Sequence, residues 1–159
     1  MNDSKNITGP NRLRKARILV IEDSADHLLL VKSALQQSFA DVEIVIMTDE
    51  HTAISYLDEC EQTGLRLPQL ILLDLYLPAR ENGWAFLTKV KELSPEVNQI
   101  PIVVFSNSSD SNDIAESYDR GVASYVVKPM NFTEWTDYFL TLKEYWWETV
   151  SLPNTHSIY

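Results

Sequence analysis

Four stretches of this chain each end in a side chain able to do chemistry, and each is mostly apolar before it. "ILVIEDS" (18–24) reaches the acidic pair Glu22 and Asp23, and "LILLDLYLP" (70–78) sets Asp74 behind four apolar residues. "IPIVVFSNS" (100–108) leads to Ser106, and "YVVKP" (125–129) leads to Lys128. A lone carboxylate behind so apolar a run is costly to desolvate and tends to take up a proton, so Asp74 needs a partner that makes its charge useful. Three carboxylates brought together raise one another's pKa, and a divalent cation removes that conflict. Oxygen ligands from one or two carboxylates plus water suit Mg²⁺, which favours phosphate oxygens. Lys128 then offers a positive charge to a phosphoryl group, and Ser106 offers a neutral donor. Asp74 becomes a nucleophile toward phosphorus, because an aspartate can carry a covalent phosphoryl group. Such a transfer is catalysed by positioning and charge neutralisation.

For this chemistry to occur, the backbone must gather four distant positions. The apolar runs at 16–22, 42–47, 69–74, 100–106 and 123–128 predict five strands. Between them lie helical patterns. Leu28, Val31, Leu35 and Phe39 recur at helical spacing across 25–39. Thr48 or Asp49 is placed to cap a helix running through Cys60, with Ala53, Ile54 and Leu57 inward. A third helix is expected to open at Gly83 and stop at Ser94-Pro95, and a short one after "NSSDSND" is closed by Gly121. The last starts at Asn131, with Glu134 three residues on, and carries Trp135, Phe139, Leu142 and Trp146 as a stripe. Strands alternating with helices predict an α/β fold, a doubly wound five-stranded parallel sheet with helices on both faces. Ligands of such sheets sit at the carboxyl ends of the strands, where Glu22, Asp23, Asp74, Ser106 and Lys128 all fall. Taken singly, each has a plainer reading: strand-end acids often cap helices, a serine after a strand is usually a turn residue, and a lysine before proline is usually solvated. The joint pattern outweighs these.

The bulk properties narrow the class. The 159 residues suit one domain, and 45% hydrophobic content is enough for a core. No apolar run approaches the ~18 residues of a membrane helix. Cys60 is the only cysteine, so an internal disulfide and a cysteine metal cluster are ruled out. These features point to a cytoplasmic protein with no membrane partner. The net charge of −10 argues against nucleic-acid binding. Charge is uneven: residues 1–17 sum to +4, leaving −14 for the remainder. Residues 1–15 are expected to be a solvated basic leader, 16–150 the folded domain and 151–159 a tail. His27, His51 and His156 lack metal-ligand spacing, and His27 is expected to be solvated or to cap the first helix.

The four quoted stretches, in this order and spacing, resemble the receiver domain of two-component response regulators, over roughly residues 16–147. The ending "YWWETVSLP" (145–153) and the "IED" form of the acidic pair further resemble small single-domain regulators paired with cyanobacterial phytochrome kinases. The resemblance implies a flavodoxin-like (CheY-like) fold and a phosphoacceptor signalling protein rather than an ordinary enzyme. Carried over by position, it makes Asp74 the phosphoacceptor, donated to by a sensor histidine kinase. Asp23, Asp74 and the backbone carbonyl of Tyr76 would hold Mg²⁺, with Glu22 acting through water. Lys128 would pair with the phosphoryl group, its bond to Pro129 being cis. Ser106 and Tyr125 would form the switch. Asn107 stands where the family usually has a small residue, and is expected to crowd the site.

Rival readings fit less well. A flavin or nucleotide site of this architecture needs a phosphate-binding first loop, whereas "EDSADH" holds three carboxylates. A hydrolase working through an aspartyl phosphate would place a second aspartate two residues after the first, where Tyr76 stands. A receiver-like docking module that takes no phosphate remains the alternative. Trp135, Tyr138, Phe139, Tyr145, Trp146 and Trp147 exceed what one packed helix face needs. They are expected to supply a partner surface, with a homodimer through the fifth strand and last helix.

Overall fold

The computed structural model describes residues 15–149. The basic leader before Lys15 and the tail from 151 lie outside the described residues. Side-chain alternation explains the architecture. In β1 (Ala16–Ile21), Ile18 and Val20 face one side while Leu19 and Ile21 face the other, and all four are buried. A strand buried on both faces belongs inside a parallel sheet. The sheet contains β1, β2 (Val42–Met47), β3 (Leu70–Leu73), β4 (Ile102–Ser106) and β5 (Ser124–Val127). Its order is β2-β1-β3-β4-β5, all neighbours parallel.

Each face has its own core. On one, α1 (Ala25–Ser38) and α6 (Phe132–Lys143) bring Val31, Leu35 and Phe139 against Ile18, Leu70, Val103 and Phe105. On the other, α2 (Glu50–Thr63), α3 (Arg80–Val90) and the short α4 (Pro95–Asn98) bring Leu57, Phe86 and Val97 against Leu19, Ile71, Leu73 and Val104. The helix α5 (Ser111–Asp119) packs beside β5. No helix of the described residues is long and apolar enough to cross a membrane.

The expected elements all form, with three informative differences. Helix α3 begins at Arg80 rather than at Gly83, because Asn82 accepts from the Ala79 N–H and closes the first turn early. Ser94 does more than end a helix: its hydroxyl accepts from the Val97 N–H and caps α4. After α6 the chain widens into a π-helical turn, Glu144–Thr149. The cis bond among the described residues is Leu77-Pro78, not Lys128-Pro129 as the resemblance implied. Which X-Pro bond is cis depends on tertiary surroundings rather than on the dipeptide.

The strand order opens the site. From β1 the chain crosses to β2 on one side, while β3 lies on the other. The loops after β1 and β3 therefore diverge at the carboxyl edge and leave a crevice. The Asp74 N–H donates to the Ile21 carbonyl at 2.9 Å, which sets Asp74 beside Glu22 and Asp23. Gly83 guards this placement from below. A Cβ there would lie 2.3 Å from the Leu75 carbonyl oxygen and 2.8 Å from its Cα, both backbone atoms. Elsewhere in a helix, Gly→Ala stabilises by about 1 kcal/mol. Gly83→Ala is expected instead to destabilise by roughly 1–3 kcal/mol, as overpacked sites do. Urea denaturation measures it, and a gain in stability would show that the Leu75 loop yields freely.

Candidate functional site

Carboxylate oxygens of Glu22, Asp23 and Asp74 lie within 4.8 Å of one another. Glu22 and Asp74 are buried, while Asp23 is exposed. Three hard oxygen donors at this spacing fit a Mg²⁺-sized cation. The local chain explains the pose. Ser24 caps α1, its hydroxyl accepting from the His27 N–H, and the Ser24 N–H donates to Glu22 Oε1 at 3.1 Å. This turns the second Glu22 oxygen inward. There it meets Lys128, whose Nζ stands 2.7 Å from Glu22 Oε2 and 3.4 Å from Asp74 Oδ2. Lys128 is itself buried, and an interior ammonium is tolerable only when paired and bonded.

Asp74 bears the strain of this crowding. Burial pushes its carboxyl up to about 7, opposed by the Lys128 charge and reinforced by neighbouring Glu22. One backbone donor, the Tyr76 N–H at 3.3 Å, also favours the ionised form.

Ser106 and Tyr125 join the same assembly. Ser106 is buried, its hydroxyl accepts from the Ser108 N–H at 3.2 Å, and its carbonyl accepts from the Lys128 N–H at 2.7 Å. The Tyr125 hydroxyl donates to the Ser108 carbonyl at 2.8 Å, and burial pushes that phenol up. Asn107, expected to crowd the site, is exposed.

Two participants escaped the sequence reading. The first is Asp113, with no solvent exposure at all. Its carboxylate accepts from the Tyr76 hydroxyl (2.6 Å), the Ser108 hydroxyl (2.7 Å) and Arg80 Nη1 (2.9 Å). Burial would raise this carboxyl, but those bonds outweigh it and hold it below its ordinary value. It thus ties the loop after Asp74 to the loop after Ser106. In sequence it lies within "NSSDSND", three residues after the capping Asp110, and nothing local distinguishes it from a solvated acid. The second is His27. It was expected to be solvated or to cap. Its backbone N–H does bond the capping Ser24, but its side chain turns inward, with Nδ1 2.8 Å from Lys128 Nζ. Helical rotation from Ser24 aims this position at the β5 end, a direction that periodicity cannot reveal.

The aromatic surface is smaller than expected. Trp135 and Phe139 are buried in the α1–α6 core rather than presented to a partner. Tyr138 stacks on Phe105 with centroids 5.7 Å apart. The π-helical turn brings Trp146 and Trp147 onto the same core, with Trp147 edge-on to Phe39 at 5.0 Å. Of the six, Tyr145 alone is largely exposed, at 52%.

Comparison with known proteins agrees with this geometry. The profile of the response regulator receiver domain matches residues 18–139. Response regulator Rcp1 of Synechocystis sp. is 34% identical over 137 residues, covering 86% of this chain and 92% of its own. The crystal structure of the phosphorylated cyanobacterial phytochrome response regulator RcpA is similar with a TM-score of 0.78 at 33% identity, covering 89% of this chain and all of that one. That of the Mn²⁺-bound form of Rcp1 gives 0.74 at 34%, again covering 89% and 100%.

The raised Asp74 carboxyl has a thermodynamic consequence. The folded state holds this proton more tightly than the unfolded state does. The group therefore favours folding most at low pH, and that contribution is lost as pH rises from 3.8 to about 7. Asp74→Asn removes the titration. Without metal it is expected to raise the melting midpoint on the order of 5 °C at pH 8 and to change it little near pH 4. Added Mg²⁺ should narrow the difference at pH 8 by stabilising the wild type. Equal midpoints at both pH values would show that Asp74 is not under this stress.

Proposed function

The chain belongs to the response regulator receiver family, and from that premise we propose that Asp74 accepts a phosphoryl group from the phosphohistidine of a sensor histidine kinase. The observation that carries this reading is the convergence of Glu22, Asp23 and Asp74 within 4.8 Å, beside the buried ammonium of Lys128. Asp23, Asp74 and the Tyr76 backbone carbonyl would hold Mg²⁺, with Glu22 acting through water. When bound, the metal neutralises the carboxylates and the phosphoryl oxygens.

The protein's own residues do the rest. A carboxylate oxygen of Asp74 forms the new bond to phosphorus as the phosphorus–nitrogen bond of the donor breaks, and the electron pair leaves with nitrogen. Lys128 pairs with the transferred group. Ser106 turns its hydroxyl from accepting the Ser108 N–H to donating to a phosphoryl oxygen. Because Tyr125 is bonded to Ser108, its rotamer changes with that loop. A local charge event thus biases a two-state element.

The likeness to Rcp1 and RcpA supports a kinase of the phytochrome class. A free, buried Cys60 accords with the cytoplasm. The output surface is the β5–α6 edge, where Val127, Met130, Leu140 and Tyr145 are exposed, and its partner is a second copy of the chain.

Intact-protein mass after incubation with acetyl phosphate tests the chemistry. One phosphoryl group is expected with Mg²⁺, and none without it or in Asp74→Asn. No gain by the wild type, even with a histidine kinase, would leave a docking module. Light scattering of the same samples tests the output: a dimer in the phosphorylated sample is expected, and a monomer at high concentration in every state would remove the second copy.

A further inference from the structure

We propose that His27 is a positioning residue for Lys128, a neutral acceptor that holds the ammonium off Asp74 at rest and releases it to the phosphoryl group. The inference rests on the phosphoacceptor reading above. A lysine ammonium has donors and no acceptor. A contact of 2.8 Å between Lys128 Nζ and His27 Nδ1 therefore requires an unprotonated Nδ1, with the imidazole proton on Nε2. Lys128 has two short bonds, to Glu22 at 2.7 Å and to His27 at 2.8 Å, and one long one, to Asp74 at 3.4 Å. The resting ammonium is thus held more closely by Glu22 and His27 than by the nucleophile, which it still meets at 3.4 Å.

The ring is held in place for this task. His27 sits in the first turn of α1, its N–H on the Ser24 hydroxyl. Its imidazole meets the buried Trp135 edge-on, centroids 6.1 Å apart. Trp135 Nε1 in turn donates to the carbonyl of Pro129, the residue after Lys128, at 2.7 Å. Lys128, His27, Trp135 and Pro129 close a loop that ties α1 and α6 to the end of β5.

The residue type suits the role. A carboxylate here would bind the ammonium too firmly and add a fourth negative charge to the crowded edge. An apolar side chain would let Lys128 fall onto Asp74, pairing with the lone pairs that must attack phosphorus. A neutral imidazole accepts one hydrogen bond and gives it up without stranding a charge. When the Asp74 oxygen–phosphorus bond forms and the donor bond breaks, Lys128 exchanges Nδ1 for a phosphoryl oxygen. No proton passes to or from His27.

The test uses the full chain, acetyl phosphate and Mg²⁺. His27→Phe keeps a ring against Trp135 but removes the acceptor, and His27→Asn places an amide oxygen near the site of Nδ1. The Phe variant is expected to phosphorylate about tenfold more slowly at saturating donor, with half-saturation unchanged, as for a misplaced catalytic group. The Asn variant should stay within about twofold of wild type on the same footing. Imidazole ¹⁵N resonances of the wild type should show an unprotonated Nδ1 at rest, shifting when beryllofluoride and Mg²⁺ mimic the phosphoryl group. A wild-type rate in His27→Phe, an Asn variant as slow as Phe, or a protonated Nδ1 at rest would overturn the assignment. Failure of the wild type itself to take a phosphoryl group would instead sink the phosphoacceptor reading, and the resting nitrogen signature is read independently of it.

Discussion

The structure turns on one buried cation. Lys128 places its ammonium between Glu22 and Asp74 at the carboxyl edge of an apolar sheet. Stranding a buried charge by losing its partner costs about 3–5 kcal/mol. Fully burying an aliphatic side chain returns about 1.5–3 kcal/mol. One stranded carboxylate would therefore cancel one or two core residues, and two would endanger the fold. Even with Lys128 present the balance is incomplete, as the upward push on Asp74 records. The site keeps an excess of negative charge, which suits a divalent cation; only that cation and Lys128 could offset the negative charge of a phosphoryl group.

Around that cation two polar sets are arranged, one on each side of Ser106. Lys128, Glu22, His27 and Asp74 form the first, in the crevice between the β1 and β3 loops. Asp113, Tyr76, Arg80 and Ser108 form the second, toward α5. Ser106 touches both, accepting from the Lys128 N–H at its carbonyl and from the Ser108 N–H at its hydroxyl. Ser106 thus links the Lys128 end of the sheet to the Asp113 set at α5 through bonds already made. A separate set of contacts, Lys128 to His27 and His27 to Trp135, joins that end of the sheet to α6. The two cores beneath are closely packed and resist continuous deformation.

The sheet, its parallel sense and the gathering of Glu22, Asp23, Asp74, Ser106 and Lys128 at one edge were legible in the sequence. Strand runs such as "LILLD" and "IVVFS" are apolar on both faces, and only a doubly covered parallel sheet buries both. A helix cap such as Asn131, whose side-chain oxygen accepts from the Glu134 N–H, is equally local. What was misread involved direction. Trp135 and Phe139 were counted as surplus surface, yet α1 crosses α6 and buries them.

The sequence by itself determined which polar groups stand at the carboxyl edge, because their identities and their places after apolar strands follow from local preference and burial. Tertiary structure alone decided their partners. Lys128 and Glu22 are 106 residues apart, and Lys128 and His27 are 101 apart. Tyr76 and Asp113 are separated by 37. No periodicity links such positions, since their meeting depends on strand order and on the rotation of each helix about its axis. A histidine on the first helix and an aspartate in a polar loop acquired their partners only when the sheet closed the distance.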